Sequence, residues 1–314
     1  MEKNKGYIIG VDGGATKTVA AIASLRGKIL GKNRGGPSSP RNLGTKESVS
    51  NIIATVVPLL KGKKKNKIIS TVIALSSVEE EYKNKKPEIL KYLKQMREIS
   101  RIFQGKVEIV SDQIAAFKSG SKEKNGVLLI AGTGAVAHGW RNNREAKTSG
   151  WGWLADEGSA FWIGQQAFQA TLKGLDQRGA KTIIDKLALK EFNKNRIDVF
   201  LRDIYLGNPT RTIPKFSLIC DKASRKGDKV ARQIMVRAGK ELALSAETVI
   251  KSLNFQKEEF PLVFVGSVFK SKIVLDATKQ EIKKIAPKAQ FIIPKDEPVA
   301  GAIRLALESI KYQV

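Results

Sequence analysis

Tyr7-Ile8-Ile9-Gly10-Val11-Asp12-Gly13-Gly14-Ala15-Thr16-Lys17-Thr18 decides how the rest of the chain reads. A short apolar run ends in an aspartate. Two glycines follow, then Thr-Lys-Thr, and a second apolar run covers Val19 to Ala23. The pattern predicts a buried strand, a tight turn and a returning strand. Glycines let backbone approach a bulky ligand, and successive turn N–H groups form an anion-binding nest. Asp12 at a strand end suits a hydrated Mg²⁺, because hard cations take carboxylate oxygens and water. Thr16 and Lys17 add a hydroxyl and a cation for phosphate oxygens. The GxxxxGK[ST] spacing of a Walker A loop is absent. A plain β-hairpin with a flexible turn is the alternative reading of this segment.

Working outward, 314 residues suit two domains of ordinary size. A hydrophobic content of 42% supports packed cores. The single cysteine, Cys220, excludes an internal disulfide framework and a cysteine-rich zinc site. No apolar run reaches the ~18–20 residues of a membrane span. The N-terminus lacks a signal-peptide apolar core. These features lead us to expect a soluble, cytoplasmic protein with no membrane partner. The formal net charge of +26 raises nucleic-acid binding. The charges are spread along the chain, no RNP-like or zinc-finger pattern accompanies them, and a lysine-rich solvated surface is the favoured reading. A basic field also attracts anionic nucleotides.

Strands are expected near Tyr7–Asp12, Thr18–Ser24 and Lys28–Arg34. A Gly/Pro/Ser-rich loop, Gly35 to Gly44, leads to a helix from about Lys46 to Leu60 with Thr45 as N-cap. A strand Lys67–Leu75, a helical stretch Pro87–Ser100 and a strand Val107–Val110 follow. Strand-rich segments that alternate with helices indicate an α/β domain with a mixed sheet. Beyond Asp112, strands are expected at Val127–Ala131, Val136–Trp140, Leu262–Val265 and Phe291–Ile293. The span Glu157 to about Lys251 reads as mostly helical. Pro298 to Ile310 fits an amphipathic helix with proline in its first turn. Both halves open with strand, Gly/Thr turn and strand, which hints at an internal duplication.

Leu128-Leu129-Ile130-Ala131-Gly132-Thr133-Gly134-Ala135 is the second phosphate candidate. Gly132 to Ala137 also matches a GxGxxA dinucleotide fingerprint, but that fingerprint must open a helix, and Val136–Trp140 is β-like. Val110-Ser111-Asp112 places a carboxylate at a strand end before a small-residue helix. There it can accept a hydroxyl proton while that oxygen attacks phosphorus. Alternatively Asp112 or Ser111 caps the helix. Trp151-Gly152-Trp153-Leu154-Ala155-Asp156-Glu157-Gly158-Ser159-Ala160 joins tryptophans, glycines and two adjacent acids. The acids can accept hydrogen bonds from sugar hydroxyls, or the segment is a capped helix with core tryptophans. Gly266-Ser267 ends a strand and could let an adenine or ribose lie against backbone. His138 is the only histidine and reads as structural.

In this order the motifs resemble the N-acetylglucosamine kinase and BadF/BadG/BcrA/BcrD ATPase family of the actin/hexokinase superfamily. The resemblance runs from Ile8 to about Ala306. Its most specific part is Gly152-Trp153-Leu154-Ala155-Asp156-Glu157-Gly158-Ser159-Ala160-Phe161-Trp162. It implies two ribonuclease H-like, actin-like ATPase domains with mixed sheets flanked by helices, closing over ATP-Mg and a sugar. The domains would be 1–112, completed by a terminal helix 298–314, and 113–297 with a helical insertion. It implies Asp12 as the Mg²⁺ residue acting through water. Gly13, Gly14, Thr16, Lys17, Gly132, Thr133 and Gly134 would line the ATP phosphates, with Gly266 and Ser267 by the adenosine. Asp112 matches the catalytic base. Asp156 matches a sugar-hydroxyl ligand, with Glu157 and Ala160 near it, and Ser76 and Asn42 stand where relatives contact sugar.

Two departures stand out: Ala15 replaces a usual glycine, and relatives carry an asparagine nearer Ser39 than Asn42 is. The implied activity is transfer of the γ-phosphate of ATP to a hydroxyl, the 6-hydroxyl, of N-acetylglucosamine or a related hexose. A homodimer is a further expectation. The alternative is a sugar-independent ATPase that activates or regulates a partner. In its electron-transferring form it would hold an iron–sulfur cluster, against which one cysteine argues.

Overall fold

The apolar run that opens the chain becomes β1 (Gly6–Gly13), the central strand of a five-stranded sheet. The computed structural model describes residues 6–62, 67–76, 85–95 and 105–311. The chain forms two compact units, Met1–Lys122 with Pro294–Val314, and Glu123–Ile293.

In the first unit β1 pairs antiparallel with β2 (Thr18–Ser24), which pairs antiparallel with β3 (Ile29–Gly35). On its other side β1 runs parallel to β4 (Lys67–Leu75), and β4 runs parallel to β5 (Lys106–Ser111). The order is β3-β2-β1-β4-β5. β1 and β4 read as near-continuous apolar runs because both of their faces are covered. One face packs Ile9, Val11, Ile22 and Ile73 against Ile52 of α1 (Pro40–Val56) and Ile89 of α2 (Lys85–Gln95). The other packs Ile8, Ala21 and Val72 against Ala115 of α3 (Asp112–Gly120) and Val299 and Ile303 of α10 (Pro298–Lys311).

Helix α3 follows the motif-based boundary at Asp112 yet lies in the first unit, because α10 packs closely on it. A Cβ on Gly301 would stand 1.8 Å from the Ala115 carbonyl oxygen. Buried Lys118 places its Nζ 3.0 Å from both carboxylate oxygens of Glu308. Arg304 Nη1 donates to the carbonyls of Lys118 (2.6 Å) and Ser119 (3.1 Å). A guanidinium there satisfies carbonyls that the end of α3 leaves without helical partners.

The helix expected from Lys46 to Leu60 starts earlier and stops earlier. Pro40 occupies the first turn of α1, the backbone kinks at Gly44 (φ 75°, ψ 167°), and Val57–Leu60 is a separate 3-10 turn around Pro58. Proline suits a first turn and interrupts a helix interior. The cap of α1 is therefore at Ser39 rather than Thr45. Helix α2 ends at Gln95. The rest of the stretch expected to reach Ser100, and residues 63–66 of the Lys61–Lys67 cluster, lie outside the described residues.

The second unit repeats the strand order. β6 (Gly126–Ala131) pairs antiparallel with β7 (Ala135–Arg141), and β7 with β8 (Arg144–Ser149). β9 (Phe260–Val265) runs parallel to β6, and β10 (Ala289–Ile292) parallel to β9. The sequence reading has no counterpart of β8, whose REAKTS sequence lacks an apolar alternation and is held by its ladder to β7. Between β8 and β9 lie α4 (Ala160–Leu175), α5 (Ile184–Phe192), α6 (Asp198–Tyr205), α7 (Pro209–Arg225) and α8 (Lys229–Ser252). α9 (Lys272–Ile285) precedes β10. Leu129, Ala137, Ile163, Phe216, Leu242 and Phe264 belong to one core. Among the described residues no helix is long and apolar enough to cross a membrane.

The Lys118–Glu308 pair gives a stability prediction. Glu308→Ala leaves a buried ammonium without its carboxylate and should lower unfolding free energy by roughly 2 kcal/mol in urea titration. Lys32 and Glu297 form an ion pair between exposed side chains, and Lys32→Ala should cost less than about 1 kcal/mol.

Candidate active site

Parallel strands present their carboxyl ends at one sheet edge, where α/β sheets bind ligands. In the first unit that edge is set by register: Gly13 pairs with Leu75, and Leu75 with Ser111. Asp12, Ser76 and Asp112 are thereby brought to the same edge, each next to one of these residues.

The β1–β2 turn closes through Gly14 N–H donating to the Lys17 carbonyl, 2.9 Å. Ala15, Thr16 and Lys17 are exposed on it. The segment before α1 is bound to this turn. Ser38 N–H donates to the Gly14 carbonyl at 3.0 Å. Thr18 Oγ1 donates to the Gly36 carbonyl (2.6 Å) and lies 2.7 Å from Ser38 Oγ. A Cβ on Gly13 would stand 2.3 Å from that Ser38 oxygen, so a larger residue would push the Ser38 side chain away. Sequence reasoning missed Ser38, since a serine in a Gly/Pro/Ser loop carries no signal of its own. Asn42 is exposed in the first turn of α1, with its backbone N–H on the Ser39 carbonyl, 3.1 Å.

Burial raises the Asp12 carboxyl from the usual 3.8 to about 6; Lys17 pulls against this and Glu297 adds to it. No hydrogen bond to its oxygens is seen among the described residues. A desolvated carboxylate at a strand end, beside a cationic turn, fits a hydrated divalent cation. Ser76 donates its backbone N–H to the Gly13 carbonyl (3.0 Å), while its hydroxyl oxygen is buried and has no hydrogen-bond partner among the described residues. Buried polar atoms are nearly always paired, so an orphan at this edge is a candidate ligand position. At Asp112 the two readings separate: Ser111 Oγ accepts the Gln113 N–H at 3.2 Å and is the cap, while half-buried Asp112 is the first helical residue.

In the second unit Gly132-Thr133-Gly134 is a turn between antiparallel strands, closed by Gly132 N–H on the Gly134 carbonyl, 2.9 Å. No helix opens there, so the dinucleotide fingerprint lacks its context. The turn is held from behind: Ala160 N–H donates to the Gly132 carbonyl (2.8 Å) and Phe161 N–H to that of Thr133 (3.3 Å). Asp156 is 3% exposed and accepts four hydrogen bonds. Its Oδ2 takes the Ala135 N–H (3.1 Å), and its Oδ1 takes Ser149 Oγ (3.1 Å), Trp151 N–H (2.9 Å) and Gly152 N–H (3.3 Å). Glu157 is exposed and Ala160 is buried at the start of α4. Phe161 and Trp162 are core residues, whereas Trp151 is 84% exposed.

Gly266 adopts φ 117° and a Cβ there would meet the Ala131 carbonyl oxygen at 2.1 Å, so only glycine fits. Ser267 beside it is exposed and opens a 3-10 turn. His138 is buried in β7 against Trp140, with Nε2 3.5 Å from Glu145. Cys220 is buried, its thiol pushed upward by desolvation and by Asp228 and Asp221. Such a thiol is a poor metal ligand.

Two sheets of ribonuclease H-like order, each with a glycine turn between its first two strands, make the fold of the actin-like ATPases. Residues 9–306 match the BadF/BadG/BcrA/BcrD ATPase family, and the chain belongs to it. It is 29% identical over 305 residues to an N-acetylmuramic acid/N-acetylglucosamine kinase of Clostridium acetobutylicum, covering 96% of this chain and 98% of that one. It is also 29% identical over 328 residues to an N-acetyl-D-glucosamine kinase of Dictyostelium discoideum, covering 98% and 100%. A solved structure from Porphyromonas gingivalis, described as a candidate N-acetylglucosamine kinase, has a TM-score of 0.75 at 20% identity, covering 96% and 99%.

The Asp12 environment yields a prediction. Its raised pKa means that the folded state loses stability as pH rises from about 4 through about 6. A shift of that size corresponds to roughly 3 kcal/mol at most. Asp12→Asn should raise unfolding free energy without ligand by about 1–3 kcal/mol at pH 7.5. It should also flatten that pH dependence, as chemical denaturation at several pH values would show. Equal stability of both proteins at pH 7.5 would contradict the desolvation argument.

Proposed function

We propose that the chain is an ATP-dependent sugar kinase that moves the γ-phosphate of ATP onto the 6-hydroxyl of N-acetylglucosamine or a related amino sugar or hexose. The observation that carries this reading is Asp112. It stands at the carboxyl end of β5, Ser111 has taken the capping role, and Asp12 and the orphan Ser76 hydroxyl lie at the same edge. The names of the two curated relatives supply the acceptor class.

In this reading Asp112 accepts the proton of the sugar hydroxyl as that oxygen bonds the γ-phosphorus. The bond to the β-phosphate oxygen breaks and ADP departs. Thr16 and Lys17 offer a hydroxyl and an ammonium to phosphate oxygens, and Gly13, Gly14 and Gly132 to Gly134 offer turn backbone. Mg²⁺, held by Asp12 through water, would neutralise charge on the phosphoryl oxygens when bound. Gly266 and Ser267 border the adenosine. Ser76 gives its hydroxyl to the sugar, with Asn42, Glu157 and Ala160 as further sugar contacts.

The test is ADP release with Mg-ATP against N-acetylglucosamine, N-acetylmuramic acid, glucosamine, glucose, mannose and N-acetylmannosamine. Release should depend on at least one N-acetylated sugar. Asp112→Asn should lower that turnover at least about a thousandfold while ADP binding stays within about threefold of wild type. Normal turnover by the variant would remove Asp112 as the base. ADP release that ignores every sugar would support a sugar-independent ATPase instead.

A further inference from the structure

We infer that the exposed face of the α7–α8 hairpin binds the phosphate backbone of duplex DNA. The inference goes beyond the kinase reading and does not rest on it. Along the whole sequence the cations look evenly spread, yet the second unit gathers many of them here. Residues 209–240 carry nine lysines and arginines against two acids, where the chain as a whole carries 56 against 30. All nine are exposed. Both acids are taken up by structural contacts. Asp228 caps α8 through the Ala231 N–H (2.8 Å) and also accepts from Thr182 Oγ1 (2.8 Å) and the Ile183 N–H (2.7 Å). Asp221 accepts the Ser271 hydroxyl (2.6 Å) and pairs with Arg225 (2.6 Å). Arg237 lies 3.8 Å from Glu241, and Lys240 lies near Glu281, which Lys284 already holds. The remaining positive charge faces solvent.

Three residues, 226–228, join the two helices, which pack on each other as a hairpin. Phe216, Ile219, Ala231 and Leu242 are in the core. On the outer side of α7, Arg211, Lys215, Lys222 and Arg225 recur at helical spacing. On α8, Lys229, Arg232, Arg237 and Lys240 line a groove of about 450 Å³. At 1.5 Å per residue that row is about 16 Å long, enough to meet several phosphates rather than one. Arg237 is ordered in advance, its guanidinium 5.0 Å from the Trp162 ring centroid. The composition of the face selects the polyanion. Phe216, the one aromatic residue of the two helices, is buried, so no ring is offered to an unstacked base. Leu218 and Leu244 are their exposed large apolar residues, too little to enter a lipid interface. Gln233 is their one side-chain amide, which gives little purchase on the 2′-hydroxyls that mark RNA. Duplex DNA displays its phosphates outward and needs cations alone.

The experiment titrates the full chain onto a labelled, mixed-sequence DNA duplex of about 20 base pairs by fluorescence anisotropy at several salt concentrations. One variant combines Lys222→Gln, Lys229→Gln, Arg232→Gln and Lys240→Gln. A second removes the same charge from exposed cations of the first unit, through Lys28→Gln, Lys46→Gln, Lys91→Gln and Lys94→Gln. Glutamine keeps helix propensity close to that of lysine and arginine, and circular dichroism checks the fold. The hairpin variant should lose at least about tenfold in affinity at about 0.1 M salt, and its slope of log K against log salt should be shallower by about 2–4. The first-unit variant should lose less than about threefold. If the fourfold hairpin variant does not fold, the pair Lys229→Gln and Arg232→Gln decides, with a loss of at least about threefold expected. Equal losses in the hairpin and first-unit variants would reduce the binding to the diffuse field of a basic protein and overturn the assignment. So would tighter binding to the single strand or to the RNA duplex of the same sequence. Wild-type protein that ignores the DNA duplex but sediments with phosphatidylglycerol vesicles would overturn it in favour of a membrane surface.

Discussion

Asp12 is a carboxylate desolvated at the end of a central strand without a hydrogen bond seen among the described residues, and the first unit is arranged around that cost. Burial lifts its pKa to about 6, and the nearby Lys17 offsets only part of the effect. A fold can keep such a group only if the packing beneath it is secure. Here β1 is covered on both faces, by α1 and α2 on one side and by α3 and α10 on the other. The C-terminal helix is tied down by the Lys118–Glu308 pair and by Arg304 on the last carbonyls of α3. The same contacts fix α3, whose first residue is Asp112. Stability and the placement of the proposed base therefore share one set of interactions.

The two units answer the same structural problem differently. Each opens with a hairpin whose turn is rich in glycine, and each continues with two parallel strands. In the first unit the turn is held by hydroxyls and backbone from the segment before α1, through Thr18 and Ser38. In the second it is held by a carboxylate, Asp156, and by the first N–H groups of α4. The carboxylate in the first unit is buried beside the cation of Lys17; the one in the second accepts hydrogen bonds from the chain around it. Both acids sit near a glycine turn, but their surroundings differ.

How much of this the sequence reveals depends on where the signal lies. β1, β2 and β4 announce themselves because they are buried runs bounded by Gly, Asp or Ser. α10 does so because its apolar residues recur at helical spacing behind a proline. β8 is silent, since a polar edge strand owes its form to the ladder with β7. The start of α1 was misplaced because Gly44 imitates a loop while Pro40 already begins the helix. The candidate site residues were legible as types at strand ends. Their partners were not. That Ser111 rather than Asp112 caps α3, and that Asp156 turns toward Ala135, Trp151 and Gly152, are facts of backbone direction, which side-chain identity does not encode.

The most direct test of the account is a crystal structure of the chain with Mg²⁺, a non-hydrolysable ATP analogue and N-acetylglucosamine. A sugar hydroxyl should lie within about 3 Å of an Asp112 carboxylate oxygen, with Ser76 Oγ paired to the sugar. A sugar bound away from both residues, or Asp112 turned away from any ligand, would contradict it.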